Sequence, residues 1–285
     1  MKIGLVTCEE EKNLYGEDCE LLNSLIHKGH IAIPIVWNDK SIDFQNFDIL
    51  IVRSVWDYHY KTIEFIAWLN WISSQNIKMY NSVEAIKFNI DKHYLETLSK
   101  QGVSILPSLF FKGTKNFDIS PFYKHFDCNE IIIKPTISAS AFNLLKISRE
   151  EIFSKKNDIE LVTKNDFIIQ PFISEIYSVG EISLVFFNKN YSHSVRKLPK
   201  VGDFRVQDDY GGTYEYINAD DWIIRYAEKI IQKLPFEQLL YSRIDSIVVE
   251  DRFYLMEVEL IEPVLYIANN EYKLRFIEEI EKTQY

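Results

Sequence analysis

The sequence predicts an α/β protein of three closely packed lobes: an open, largely parallel sheet first, a smaller lobe of short strands second, and an antiparallel sheet last. Three observations predict it. Apolar runs alternate with helical patterns over roughly the first 80 residues, the alternation that builds a parallel sheet. After residue 90 the runs become short and close together. From residue 180 long strand-like runs follow one another, and the last two are joined by only a few polar residues, as in a hairpin. A chain of 285 residues is also longer than one core usually holds. The changes of texture place lobes at 1–88, 89–175 and 176–285. No stretch between them is rich in Pro, Gly or Ser, so the lobes are expected to pack closely.

The elements follow in order. KIGLVTC reads as a strand, and EDCELLNSLIHKGH as a helix with Leu21, Leu22, Leu25 and Ile26 at helical spacing and Gly29 as its stop. IAIPIVW and FDILIVRS are the next strands. VWDYHY is the segment beyond a strand's carboxyl end, where ligands sit in such sheets, and TIEFIAWLNWIS is an amphipathic helix. DKHYLETLSKQG is a helix stopped by Gly102, followed by short strands in LPSLFF, EIIIKP, FNLLKI and DFIIQPF. EISLVFF and YSHSVRKLP are long strands, GDFRVQDDYGG an irregular loop, and ADDWIIRYAEKIIQKL a helix. The strands LLYSRIDSIVV and RFYLMEVEL precede a final helix.

Composition narrows the function. With 47% hydrophobic and 26% charged residues the chain reads as an ordinary soluble globular protein. No run approaches the roughly 18 apolar residues of a membrane span, and KIGLVTC runs too soon into acidic residues for an export signal. The net charge of −10 argues against nucleic acid as a partner. Three separated cysteines, Cys8, Cys19 and Cys128, suit free thiols in a reducing cytoplasm rather than a disulfide frame.

The chemistry concentrates in LMEVELIEP, residues 255–263. Residues two apart on a strand share a face, so Glu257 and Glu259 point one way while Met256, Val258 and Leu260 point toward the core. A solvated acidic face explains this pattern as well as a site does. The preceding strand favours the site. A three-residue loop would pair Val249 with Phe253 and set Asp245 opposite Glu257, with Arg243 on the same face. A two-residue loop would put Asp245 on the far face. Three converging carboxylates are what Mg²⁺ selects. Neither a P-loop nor a dinucleotide fingerprint is present. Lys92, opening a helix, and Lys134, ending the strand before the small-residue loop TISASAFN, are candidate phosphate ligands, though each taken alone is better read as a solvated surface charge.

The ordered set DK, KP, small-residue loop, IIQPFI, GEISLVFF, VRK, SRID and MEVE resembles the ATP-grasp superfamily over residues 80–263 or so. VRSVWDY, FNIDKHYL, SHSVRKLPKVGDFRVQ and ELIEP resemble, within it, a bacterial group related to glutathione synthetase and D-cycloserine synthetase. The resemblance implies that ATP lies between the central lid lobe and the C-terminal lobe. Lys92 and Lys134 would hold its α- and β-phosphates, and Ser138, Ala139 and Ser140 would cover them, where many relatives have glycines. Gln170, Phe172 and Ile173 would meet adenine, and Glu181, or alternatively Glu175, the ribose. Lys197 and Arg243, assisted by Arg205, would grip the phosphate in flight. Asp245, Glu257 and Glu259 would bind Mg²⁺, two ions by expectation with Mn²⁺ able to substitute; many relatives carry Asn at the last position. The implied reaction activates a small carboxylic or amino acid as an acyl phosphate for attack by a nitrogen nucleophile, including attack within one molecule to close a ring.

Substrate candidates are Arg53, Trp56, Asp57, Tyr58, His193 and Glu262. Each has a plainer reading: Arg53 pairing with a local acid, Trp56, Asp57 and Tyr58 as core or turn residues, His193 as a structural hydrogen bonder. The expected partners are ATP and small carboxylate and amine substrates, with no membrane or nucleic acid, and a homodimer as an open possibility. The competing functions are a small-molecule kinase of the same fold and a catalytically inactive nucleotide-binding regulator.

Overall fold

The alternating first third folds as expected into a parallel sheet. In the computed structural model, which describes residues 1–283, β1 (Lys2–Thr7), β2 (Ile31–Val36), β3 (Ile49–Ser54) and β4 (Met79–Tyr80) lie in the order β2-β1-β3-β4, all parallel. Helices α1 (Glu17–His27) and α2 (Thr62–Ser74) connect them. Leu21 and Leu25 are the buried face of α1, and Gly29 leaves the helix with φ +89, a conformation glycine adopts without strain. Phe65, Leu69 and Ile72 bury the inner face of α2.

Helices α3 (Val83–Ile90) and α4 (Tyr94–Lys100) follow. The texture of the sequence puts α4 in the central lobe, yet Tyr94, Leu95, Leu98 and Val103 pack against Leu184, Phe186, Ile244 and Val258 of the last sheet. The apolar face of α4 needs a large partner, and only the last sheet offers one. The central sheet comes after it: β5 (Leu109–Phe111), helix α5 (Ser120–His125), β6 (Glu130–Pro135), β7 (Leu145–Ser148), helix α6 (Lys156–Thr163) and β8 (Phe167–Pro171), in the order β5-β8-β6-β7 and antiparallel. FNLLKI, expected as a strand, yields only β7, and Phe142 stays in the loop before it. This lobe has its own core, with Ile131, Ile133, Phe167 and Ile169 at its centre.

The last sheet is antiparallel, β11-β10-β9-β12-β13, built from β9 (Glu181–Phe187), β10 (Asn190–Leu198), β11 (Thr213–Ile217), β12 (Tyr241–Val249) and β13 (Arg252–Glu259). Helix α7 (Asp221–Lys233) covers one face through Ile223, Ala227, Ile230 and Ile231. Strand β11, which follows the GDFRVQDDYGG loop and has no assignment from the sequence, is an edge strand whose side chains are mostly exposed. Helix α8 (Asn270–Lys282) closes the chain, and Phe276 and Ile277 join Ile3, Leu5, Val185 and Phe187 in one cluster. First and last lobes therefore share a core.

Candidate active site

The β12–β13 hairpin carries the acidic face. Its turn is Glu250-Asp251, with φ +48 and +57, and Val249 pairs with Arg252 rather than with Phe253. A two-residue turn of this kind matches the twist of the strands. By itself it would send Asp245 to the far face. A bulge corrects the register: Leu255 faces Ser246, Glu257 faces Asp245, and Met256 is the extra residue between them. Met256 consequently leaves the core side where the alternation puts it and lines the cleft, while Leu255, Val258 and Leu260 are buried. The expected pairing of Asp245 with Glu257 holds, by a different route.

The three carboxylates share a face without converging on one point. Asp245 accepts from Arg243 Nε and Nη2 at 2.8 and 2.9 Å and from Ser183 Oγ at 2.5 Å, with Lys197 Nζ 3.6 Å away. Glu259 accepts from Arg243 at 2.5 Å, and Glu257 pairs with Lys92 at 3.1 Å. Among the described residues no three acidic, histidine or cysteine groups are close enough together to hold a metal as they stand. Arg243 bridges Asp245 and Glu259, while Lys92 holds Glu257. The donor set nevertheless fits a hard divalent ion. Glu257 and Glu259 keep side-chain exposures of 30% and 23% toward the cleft. Asp245 uses three of its roughly four lone-pair sites. Burial and the neighbouring carboxylates push Glu259 well above the usual range, and burial with Glu257 pushes Glu262 up to about 7. So crowded an acidic face favours a bound cation.

Five basic side chains line the same cleft of about 260 Å³: Lys92, Lys134, Lys197, Arg205 and Arg243. Lys197 is buried between Glu181 and Asp245. Burial would lower its pKa, but these two carboxylates outweigh it and keep the ammonium charged. Gly180 permits that closeness: its φ is +74, and a Cβ there would lie 2.5 Å from the Lys197 carbonyl oxygen. Burial would raise Asp245, and Arg243 and Lys197 instead hold it below the usual carboxylate range. Arg205 is gripped by Asp203, with Nη2 at 2.6 Å, and lies 3.5 Å over the Tyr210 ring. Lys134 differs from the others. Among the described residues it forms no ion pair, and burial lowers it to about 8.

The loop after β6 closes one side. Lys92 Nζ donates to the Ser138 carbonyl at 2.7 Å and lies 3.3 Å from its hydroxyl. Ser138, Ala139 and Ser140 line the cleft. Ser140 and Ala141 have φ +47 and +55, the region that glycine enters without cost and other residues do not. At the apolar end Phe172 packs on Phe204 at 5.8 Å, beside Ile173, Leu106, Ile247 and Met256. Gln170 donates to Ser108 Oγ at 2.7 Å and lines this end. Glu181 lines the cleft but is engaged by Lys197, whereas Glu175 is half-buried outside it.

The substrate candidates divide. Trp56, Tyr58 and Glu262 line the cleft, and Trp56 Nε1 donates to the Glu262 carbonyl at 3.3 Å. Arg53 does not reach it. Arg53 is buried on Asp18 at 2.8 Å, and its Nη2 donates to the Pro263 carbonyl at 3.0 Å. Asp57 points into the first lobe and accepts from Trp37 and Lys61 at 2.8 and 2.7 Å. His193 stacks on Tyr272 at 4.0 Å and donates from Nε2 to the Leu265 carbonyl at 2.9 Å, away from the cleft. Arg53, Asp57 and His193 are engaged by partners outside the cleft, as their plainer readings have it, although Arg53 Nη1 is buried without a hydrogen-bond partner. Two participants carried no signal in the sequence: Tyr15 and Tyr266 line the cleft from loops that no period or motif marks. Asp203, within the GDFRVQ motif, fixes Arg205, a role the motif did not announce.

Comparison with known proteins agrees with this fold. Residues 3–81 match the family described as D-cycloserine synthetase DcsG, N-terminal domain. The cycloserine biosynthesis protein DcsG of Streptomyces lavendulae is 24% identical over 168 residues, 56% of this chain, and the match spans 55% of that protein's length. The crystal structure of D-cycloserine synthetase DcsG superposes with a TM-score of 0.83 at 22% identity, covering 99% of both chains. D-alanine–D-alanine ligase from Bacillus anthracis gives 0.74 at 16% identity, over 99% of this chain and 97% of that one. The ATP-grasp ligase PsnB with its minimal precursor gives 0.64 at 14% identity, over 98% and 99%.

Proposed function

From a chain with the fold of ATP-grasp ligases and a DcsG-like first lobe, we propose an ATP-dependent carboxylate–amine ligase that forms a C–N bond and releases ADP and phosphate. The observation that carries the reading is a cleft between the lobes into which five cations and a row of carboxylates project, with Tyr15, Trp56 and Tyr58 of the first lobe on its wall and apolar side chains closing one end. Lys92 and Lys134 would hold the nucleotide phosphates, Phe172, Ile173 and Gln170 would meet adenine, and Glu181 would meet the ribose. Asp245, Glu257 and Glu259 would hold Mg²⁺, two ions with Mn²⁺ as a substitute. The metal supplies charge neutralisation along the phosphates.

A substrate carboxylate oxygen attacks the γ-phosphorus, the bond to ADP breaks, and the carboxylate becomes an acyl phosphate. Arg243 and Lys197, locked by Asp245 and Glu181, stabilise the charge that spreads over the transferring oxygens without reorganising at that moment. A nitrogen then attacks the carbonyl carbon, loses its proton, and phosphate departs. Trp56, Tyr58 and Glu262 line the side of the cleft where that nitrogen would be oriented. The activities of the similar proteins, D-cycloserine synthesis and D-alanine ligation, point to amino-acid-like substrates, with ring closure as one form of the reaction.

An ADP-release screen over amino acids, short peptides and ureido or aminooxy amino acids tests this, with hydroxylamine present to trap the activated acid as a hydroxamate. A kinase would release ADP without hydroxamate, and an inactive regulator would bind ATP without turnover. Glu257→Gln is expected to lower turnover at least a hundredfold, roughly the loss seen when a group that stabilises transition-state charge is removed; near-normal turnover in that variant would overturn the mechanism.

A further inference from the structure

The loop between β6 and β7 rests on the first lobe through an aromatic contact that the chemistry above does not use. Phe142 lies 5.0 Å from the His59 ring and 4.9 Å from the Tyr60 ring, centre to centre. His59 and Tyr60, in the turn after β3, lie 3.9 Å from each other. Both ring nitrogens of His59 are shut away from solvent without a hydrogen-bond partner, so the side chain serves as an aromatic surface. On the same loop, Ile137 and Ala139 pack against the core of the first lobe. None of His59, Tyr60 and Phe142 lines the cleft.

The backbone explains why the loop needs outside support. Ser140, Ala141 and Asn143 all have positive φ, and no glycine occurs between Gly113 and Gly180. A glycine-rich loop reaches such a shape freely and leaves it as freely. Here each of the three residues favours another conformation, so contacts must select this one. Lys92 holds the loop at Ser138, and the rings hold it at Phe142.

We propose that His59, Tyr60 and Phe142 form a clasp that keeps the phosphate loop in its nucleotide-binding shape and ties that shape to the first lobe. They are positioning residues, and the proposal rests on the ATP-binding reading of the cleft. Its consequence is that the loop cannot open while the turn after β3 stays in place. Nucleotide retention is thereby coupled to the lobe that carries Trp56 and Tyr58.

Tyr60 is 64% exposed, so Tyr60→Ala removes a ring without hollowing a core. The test measures AMPPNP affinity with Mg²⁺ by calorimetry, and amide exchange of residues 138–143 without nucleotide, for Tyr60→Ala, Phe142→Ala, the double variant and Phe142→Tyr. Each single alanine variant is expected to weaken binding about tenfold, the size of one or two aromatic pairs, and to speed loop exchange. The double variant should lose no more than the worse single one, and Phe142→Tyr should restore both readouts. Unchanged affinity and exchange in the single variants, or losses that simply add, would overturn the clasp. Failure of the unaltered chain to bind AMPPNP would overturn the ATP reading instead, and loop exchange alone would then decide whether the clasp exists.

Discussion

Lys134 shows how one residue's surroundings set its chemistry. Its neighbours in the cleft are matched: Lys92 with Glu257, Lys197 with Glu181, Arg243 with Asp245 and Glu259. Lys134 is left with burial, which lowers it to about 8. The sign follows directly. Below that value the ammonium is charged and attracts phosphate; above it the charge is lost unless binding restores the proton. Affinity for AMPPNP should therefore fall on raising pH from 7 to 9.5, by up to about tenfold per unit once past 8. Lys134→Arg should flatten the profile, since a guanidinium stays charged throughout. A flat profile in the unaltered chain would sink the assignment. At this scale the sequence was legible in kind and not in pairing. SRID and MEVE announce their charges, but nothing in them says that Arg243 would bond to both oxygens of Asp245.

The hairpin of β12 and β13 is the element on which the acidic face depends, and it reaches its register in two steps. A two-residue turn throws the strands out of step, and the bulge at Met256 brings them back. The two turn residues, Glu250 and Asp251, sit at positive φ, where Asn-Gly is the preferred pair. Replacing them with Asn and Gly should raise stability by roughly 1 kcal/mol in urea unfolding and leave ADP formation unchanged. A loss of stability would mean that the turn is of another type. The strands themselves were legible, because period-two alternation is a local property. The bulge was not. It gives Leu255 the core position and Met256 the cleft, a choice made by the facing strand and by the space on either side. Strand β11 escaped notice for a related reason: an exposed edge strand has no buried face to leave a pattern.

Across the whole molecule the first and last lobes behave as one body, since Ile3, Leu5 and Ile51 share a cluster with Val185, Phe187 and Phe276. His193 lies in this region, stacked on Tyr272 of α8 and bonded to the Leu265 carbonyl. Burial lowers it from 6.5 to about 4. The unfolded chain then binds a proton that the folded chain refuses, so stability is full above about pH 6.5 and declines as pH falls toward 4. The loss should reach roughly 3 kcal/mol at the low end. Urea unfolding at pH 7 and pH 4.5 measures it, and a His193→Phe variant should lose less; equal losses would show that other groups cause the acid sensitivity. The sequence by itself determined the alternation of strands and helices and the order in which lysines, arginines and carboxylates follow one another, because both are written in neighbouring residues. Only the tertiary structure decided which of those groups share the cleft. Arg53 found Asp18 and His193 found Tyr272, whereas Trp56, Tyr58 and Glu262 line the cleft. Burial and strand register are set by segments distant in the chain, and no local pattern encodes them.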